Sequence, residues 1–141
     1  MKILIPVDGS PNADRAIDHV IKRVGELKAQ PELLLLNVQW NVAAGNVKLF
    51  IDSQTIDDYY REQGMAALQN ARARLDAAGL PYHYHVSVGT PAEAIVQYAT
   101  EQQADQIIMG RQGQGGLQKL LLGSVVNKVL HLSDHPVTLV K

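Results

Sequence analysis

Five glycines and a serine fall between Gly110 and Ser124, and they are the residues of this chain best suited to bind something. The stretch reads Met109-Gly110-Arg111-Gln112-Gly113-Gln114-Gly115-Gly116, continues from Leu117 to Leu122, and closes on Gly123-Ser124-Val125. It begins at the carboxyl end of a short apolar run, Ile107-Ile108-Met109. It ends where a helical pattern starts, at Val125, Val126, Val129 and Leu130. Glycine has no Cβ, so its backbone N–H approaches an oxygen closely and φ is free to turn positive. The first N–H groups of a helix have no partner within it, and the macrodipole adds partial positive charge there. Phosphate is the ligand such a place receives. Ser124 can offer its hydroxyl to the same anion, or use it to cap the helix.

Two widespread phosphate motifs do not fit. A P-loop requires Lys-Ser or Lys-Thr after its last glycine, and none of these glycines is followed by that pair. A dinucleotide fingerprint needs Gly-x-Gly-x-x-Gly after the first strand, where this chain has Asp8-Gly9-Ser10-Pro11. Started at Gly113, the same pattern meets Gln118 in place of its third glycine.

The elements that must position this loop alternate in type. Ile3-Leu4-Ile5-Pro6-Val7 predicts a buried strand with Pro6 near its end. Ser10 and Pro11 open a helix as N-cap and first position. Its apolar stripe is Ala13, Ala16, Ile17, Val20, Ile21, Val24 and Leu27. Leu33 to Leu36, with Asn37 and Val38, predict a second strand that needs cover on both faces. Residues 39–53 have no period and read as a loop long enough to suspect a function. Ile56, Tyr60, Ala67, Leu68, Ala71, Leu75 and Ala78 mark a long helix, capped by Gly79 and stopped by Pro81. Tyr82, Tyr84, Val86 and Val88 alternate with His83, His85 and Ser87 at strand period. Thr90-Pro91-Ala92-Glu93 has the form of a capping box, with Ile95, Val96 and Ala99 following. Ser124 is expected to cap the last helix, and Pro136 to Val140 to close the chain as a strand.

This βαβαβαβαβ order predicts an α/β fold, a parallel sheet with helices on both faces joined by right-handed crossovers. Ligands of such sheets bind beyond the carboxyl ends of the strands, where strand order reverses. A chain of 141 residues is the size of a single domain spanning 1–141. Thirteen basic and fourteen acidic residues leave a net charge of −1 with no basic cluster, which argues against nucleic acid and anionic membrane as partners. The absence of cysteine excludes thiolate metal sites and thiol nucleophiles, and fits a reducing, cytoplasmic setting. No apolar run approaches the length of a membrane helix or a signal sequence.

The whole chain resembles the universal stress protein family. The ATP-binding members carry Gly, two residues, Gly, nine residues, then Gly-Ser or Gly-Thr. Gly110, Gly113 and Gly123-Ser124 match that spacing. Ile5-Pro6-Val7-Asp8-Gly9-Ser10, Ala104 to Gly110 and Leu120 to Val125 match the family's flanks. The resemblance implies a Rossmann-like, open five-stranded sheet of order 3-2-1-4-5. It implies ATP as ligand, with ADP or AMP as competitors, and Mg²⁺ carried on the phosphates. Asp8, beside Pro6, would hydrogen-bond the nucleoside. Val38 would read the adenine edge through its backbone, Met109 would pack on the base and Gly110 would touch ribose. Gly113, Gly123, Ser124 and Val125 would hold the phosphates. A homodimer through the last strand, a regulatory protein partner and a role in stress response are implied as well. Arg111 and Gln112 stand where the family has Ser or Thr, then His or Arg, and Asn37 stands where it often has His. Arg111 would reach a phosphate as a bidentate donor, or sit in solvent.

Plainer readings stand beside these. Asp8 would stabilise a turn with Gly9 and no more. The glycine loop would be empty, leaving a nucleotide-free dimeric interaction module. A slow ATPase is a further reading, although no general base is evident beside the loop. Receiver chemistry would need an acidic pair after the first strand, and Asp8 is alone there. His83 and His85 are expected to be surface residues rather than metal ligands, and Pro136 breaks the helical spacing of His131 and His135. Lys119 and Lys128 are expected to be solvated, Trp40 to serve packing or else to cover the nucleotide, and Tyr59 and Tyr60 to cover the sheet. Arg72 and Arg74, two apart, do not share a helix face.

Overall fold

In a computed structural model strands and helices among the described residues alternate from β1 (Lys2–Pro6) to β5 (Val137–Val140). The structure describes residues 1–41, 52–113 and 121–141. Between the two ends lie α1 (Pro11–Val24), β2 (Glu32–Gln39), α2 (Ser53–Ala77), β3 (His83–Val88), α3 (Pro91–Glu101), β4 (Gln106–Gly110) and α4 (Ser124–Leu132). All strand pairs are parallel, and the order is β3-β2-β1-β4-β5 as expected. Sequence-adjacent β3 and β4 therefore lie on opposite sides of β1.

The leucine run of β2 explains the layering. Successive side chains of a strand point to opposite faces. Leu33 and Leu35 enter one core with Ile3, Ile5, Ile17 and Val20, and with Leu68 and Leu75 of α2. Leu34 and Leu36 enter the other with Leu4 and Ile107, and with Ile95 of α3 and Val129 of α4. Helices thus cover both faces. The α1 start forms as anticipated, with Ser10 Oγ accepting from the Ala13 N–H at 3.3 Å and Pro11 in the first turn. The helix stops at Val24 and the chain leaves by short turns, so Leu27 drops off the stripe and is exposed. Asp52 opens α2, its Oδ1 accepting from the Thr55 N–H at 2.7 Å. Gly79, at φ +69°, takes the left-handed conformation past its end, while the Leu80 N–H reaches back to the Leu75 carbonyl.

Four local expectations need correction. Thr90 occupies the N-cap of α3, but its side chain makes no capping bond. Glu93 instead turns to Lys128 on α4, Oε1 to Nζ 2.5 Å. That hydrogen bond holds the Glu93 carboxyl below its usual range, and Lys128 is half-exposed but paired. Gly123, not Ser124, is the N-cap of α4. β3, at the sheet edge, is only partly covered: Tyr84 and Val88 are exposed while Val86 packs on the core, Arg72 lies 4.3 Å over the Tyr84 ring, and His85 stacks on Tyr98. Arg74 points the other way, to Asp18 on α1 at 2.7 Å.

Gly64 marks the tightest helix–sheet contact. A Cβ at this position of α2 would overlap both methyl groups of Val86 on β3. Val86 is stiff at χ1 and cannot turn aside cheaply. Overpacking of about 1–3 kcal/mol then outweighs the roughly 1 kcal/mol that alanine gains over glycine in a helix. Gly64→Ala should therefore lower stability by up to about 2 kcal/mol in urea unfolding. Adding Val86→Ala should cost less in this background than in the wild type. A Gly64→Ala variant as stable as the parent would refute the contact.

Candidate functional site

The strands end unevenly, and the site follows from that. Pro6 pairs with Leu36, so β2 runs on through Asn37, Val38 and Gln39 after β1 has stopped. The Leu36 carbonyl faces β1 and accepts from the Val7 N–H at 2.8 Å. Gln39 faces the other way, its carbonyl accepting from the Gly89 N–H at 2.9 Å. Backbone direction alternates along a strand, so the Val38 N–H and C=O point to the β1 side, where no strand meets them. They open on a cavity of about 460 Å³ at the carboxyl ends of β1, β2 and β4. That volume suits a small-molecule ligand.

The turn after β1 forms one wall. Gly9 has φ +83°, and the Ser10 N–H donates to Asp8 Oδ1 at 2.9 Å. Asp8 does stabilise its turn, and its other carboxylate oxygen faces Gly113, where a Cβ would lie 2.6 Å away. Gly110 lets β4 pass under the start of α1, since a Cβ there would come within 2.7 Å of the Asn12 carbonyl oxygen. Gly123 closes on Gln112, whose Cα would lie 3.2 Å from an added Cβ.

The loop is held at both ends by Arg111. Its N–H donates to the Val140 carbonyl at 3.0 Å, and its C=O accepts from the Gly123 N–H at 2.9 Å. The Gln112 side chain adds a bond to the Leu121 carbonyl. α4 therefore starts at the cavity, and Ser124, Val125 and Val126 line it with no side chain capping the helix.

Of the sequence-predicted residues, Pro6, Asp8, Val38, Met109, Gly110, Gly113, Gly123, Ser124 and Val125 lie together around this cavity. Arg111 does not line it; its backbone ties the loop ends to β5 instead. Residues 42–51, most of the 39–53 loop, lie outside the described residues, as do Gln114, Gly115, Gly116 and Lys119.

Several further residues line the cavity beyond those assigned a binding role from the sequence. Trp40 is 60% exposed at the cavity rather than packed away. Tyr60, 5% exposed, and the exposed Tyr59 line the cavity too, brought there by the first turns of α2. Asn37 is 2% exposed; Nδ2 donates to the Val7 carbonyl at 2.8 Å and Oδ1 accepts from Gln39 Nε2 at 2.7 Å. A lone amide in an aliphatic strand was the available signal for this pair. Among the described residues no cluster of three acidic, histidine or cysteine side chains could hold a metal, and no helix is long and apolar enough to cross a membrane. His83 has Glu32 as its neighbour, at 3.9 Å.

An open parallel sheet with a cavity where strand order reverses, bordered by a helix start, is a doubly wound α/β fold. The model of the universal stress protein family matches residues 1–141. Universal stress protein MJ0531 of Methanocaldococcus jannaschii is 33% identical, covering 99% of this chain and 81% of that protein. The structure of MJ0577 from the same organism superposes with a TM-score of 0.81 at 31% identity, covering 99% and 94% of the two chains. A universal stress protein solved in complex with cAMP superposes at 0.68 with 25% identity, covering 100% and 96%. The chain belongs to the universal stress protein family.

The Gly110 contact is testable without a ligand. Asn12 presents backbone, which cannot swing away, so Gly110→Ala should destabilise the fold by about 1–3 kcal/mol. Chemical denaturation measures this, and an unchanged midpoint would mean that α1 does not lie against β4 as described.

Proposed function

We propose that this chain is a regulatory protein that binds an adenine nucleotide, ATP foremost, with ADP and AMP competing for the site. The observation that carries this reading is the start of α4, which meets the cavity without a capping side chain. Uncapped first-turn N–H groups attract an anion. In this reading Gly113, Gly123, Ser124 and Val125 hold the phosphates, with the Ser124 hydroxyl free for them because Gly123 takes the cap. Asp8, Pro6 and Gly110 hold the ribose side. Met109 packs on the base, and Val38 reads its edge. Arg111 acts on the loop rather than on the ligand. The cAMP complex of a family member supports an adenylate ligand here.

Mg²⁺ accompanies the phosphates. Asp8 is the one carboxylate among the described lining residues, and one of its oxygens already accepts from Ser10. This suits an ion carried by the nucleotide, which keeps most of its waters, rather than a protein-built cage.

The nucleotide state would alter a surface read by a protein partner in the cytoplasm, in a stress-response setting. β5 is a sheet edge, pairing with β4 alone. Joining its twin would satisfy its outer N–H and C=O groups, giving a homodimer of single-domain chains.

Two measurements test these readings. Freshly purified protein, denatured and chromatographed, should release adenine nucleotide, and calorimetry with Mg-ATP should give a saturable heat. Gly123 sits at φ −65° and ψ 156°, which valine tolerates, but its side chain would crowd Gln112 and Gly113. Gly123→Val should thus weaken ATP binding at least tenfold while circular dichroism stays native. Unaltered ATP affinity would sink the phosphate assignment. In sedimentation equilibrium the chain should run as a dimer at micromolar concentration, and a monomer would exclude the β5 pairing.

A further inference from the structure

The cavity also carries a pair of amides whose orientation is forced. The Val7 carbonyl can only accept a hydrogen bond. Buried Asn37 must therefore turn its Nδ2 toward it, as it does at 2.8 Å. That leaves Asn37 Oδ1, also an acceptor, facing Gln39. Gln39 answers with Nε2 at 2.7 Å. Flipping either amide would set acceptor against acceptor or donor against donor. One backbone carbonyl thus dictates, through two side chains in series, which end of Gln39 is left over. The acceptor left over is Oε1, which has no partner among the described residues, beside the second Nε2 hydrogen. Gln39 is half-buried and lines the cavity beside Val38, whose backbone groups open on the same space.

Resting on the nucleotide reading above, we propose that Gln39 selects the base. Its Oε1 accepts from an exocyclic amine, so the site takes 6-aminopurines and rejects 6-oxopurines. A 6-oxopurine would bring O6 against Oε1, two acceptors with no proton between them. The amide cannot turn to suit it without losing its bond to Asn37, or, if Asn37 turns too, the bond from Asn37 to Val7. Discrimination here comes from leaving a desolvated polar group unpaired as well as from the bond gained. Asn37 is the positioning residue, and Gln39 meets the exocyclic amine, beside the Val38 backbone and Met109.

Calorimetric affinities for ATP and for inosine triphosphate, which differs by oxygen in place of the 6-amino group, test this on the full chain. Wild type should favour ATP by about ten- to a hundredfold. Gln39→Leu, and Gln39→Met of similar length, should each cut that ratio by about tenfold, through weaker ATP binding together with tighter binding of inosine triphosphate, which no longer meets an acceptor there. A ratio that survives both variants overturns the proposal and leaves ATP binding intact. Equal affinity of wild type for the two nucleotides does the same. Failure of wild type to bind either one overturns the nucleotide reading and this inference with it.

Discussion

β2 outlasts β1, and the cavity exists because of that mismatch. A parallel sheet satisfies backbone groups only where neighbouring strands run side by side. β1 ends at Pro6 and turns away at Gly9, while β2 continues to Gln39. The vacated position would leave the Val7 carbonyl unsatisfied, and Asn37 fills the deficit from a side chain. Everything else at the site is arranged around this notch, with the Asp8 turn on one side, the end of β4 on another and the start of α4 across from them.

The glycines in the notch serve distances more than flexibility. Gly110 lets two elements touch, Gly113 makes room for the Asp8 carboxylate, and Gly123 brings α4 down onto Gln112. The Arg111 backbone then fastens the loop to Val140 at the end of β5. The α4 side of the cavity is therefore continuous with the outer strand of the sheet. An event at either place has a short covalent and hydrogen-bonded route to the other.

Much of the fold was legible because it rests on local pattern. The four leucines of β2 announced cover on both faces, and alternating periods of strand and helix announced a parallel sheet. The glycine spacing, and the family resemblance it carries, brought out fewer than half of the residues that line the cavity. What escaped was decided by partners far along the chain. Glu93 left its expected cap for Lys128 on α4, and Ser124 gave up the cap to Gly123. Tyr60 looked like a sheet-covering aromatic because nothing local says where α2 begins relative to the end of β2. Arg111 looked like a phosphate ligand by residue type, yet what matters there is its backbone, which a side-chain reading cannot see.

Trp40 has a practical bearing on all of this. It is the only tryptophan in the chain, and it stands largely in solvent at the rim of the cavity. Indole emission shifts with the polarity of its surroundings, and here no second indole dilutes the signal. The molecule carries its own optical probe at the place where occupancy matters, so ligand titrations can be followed on the unlabelled, unmutated chain.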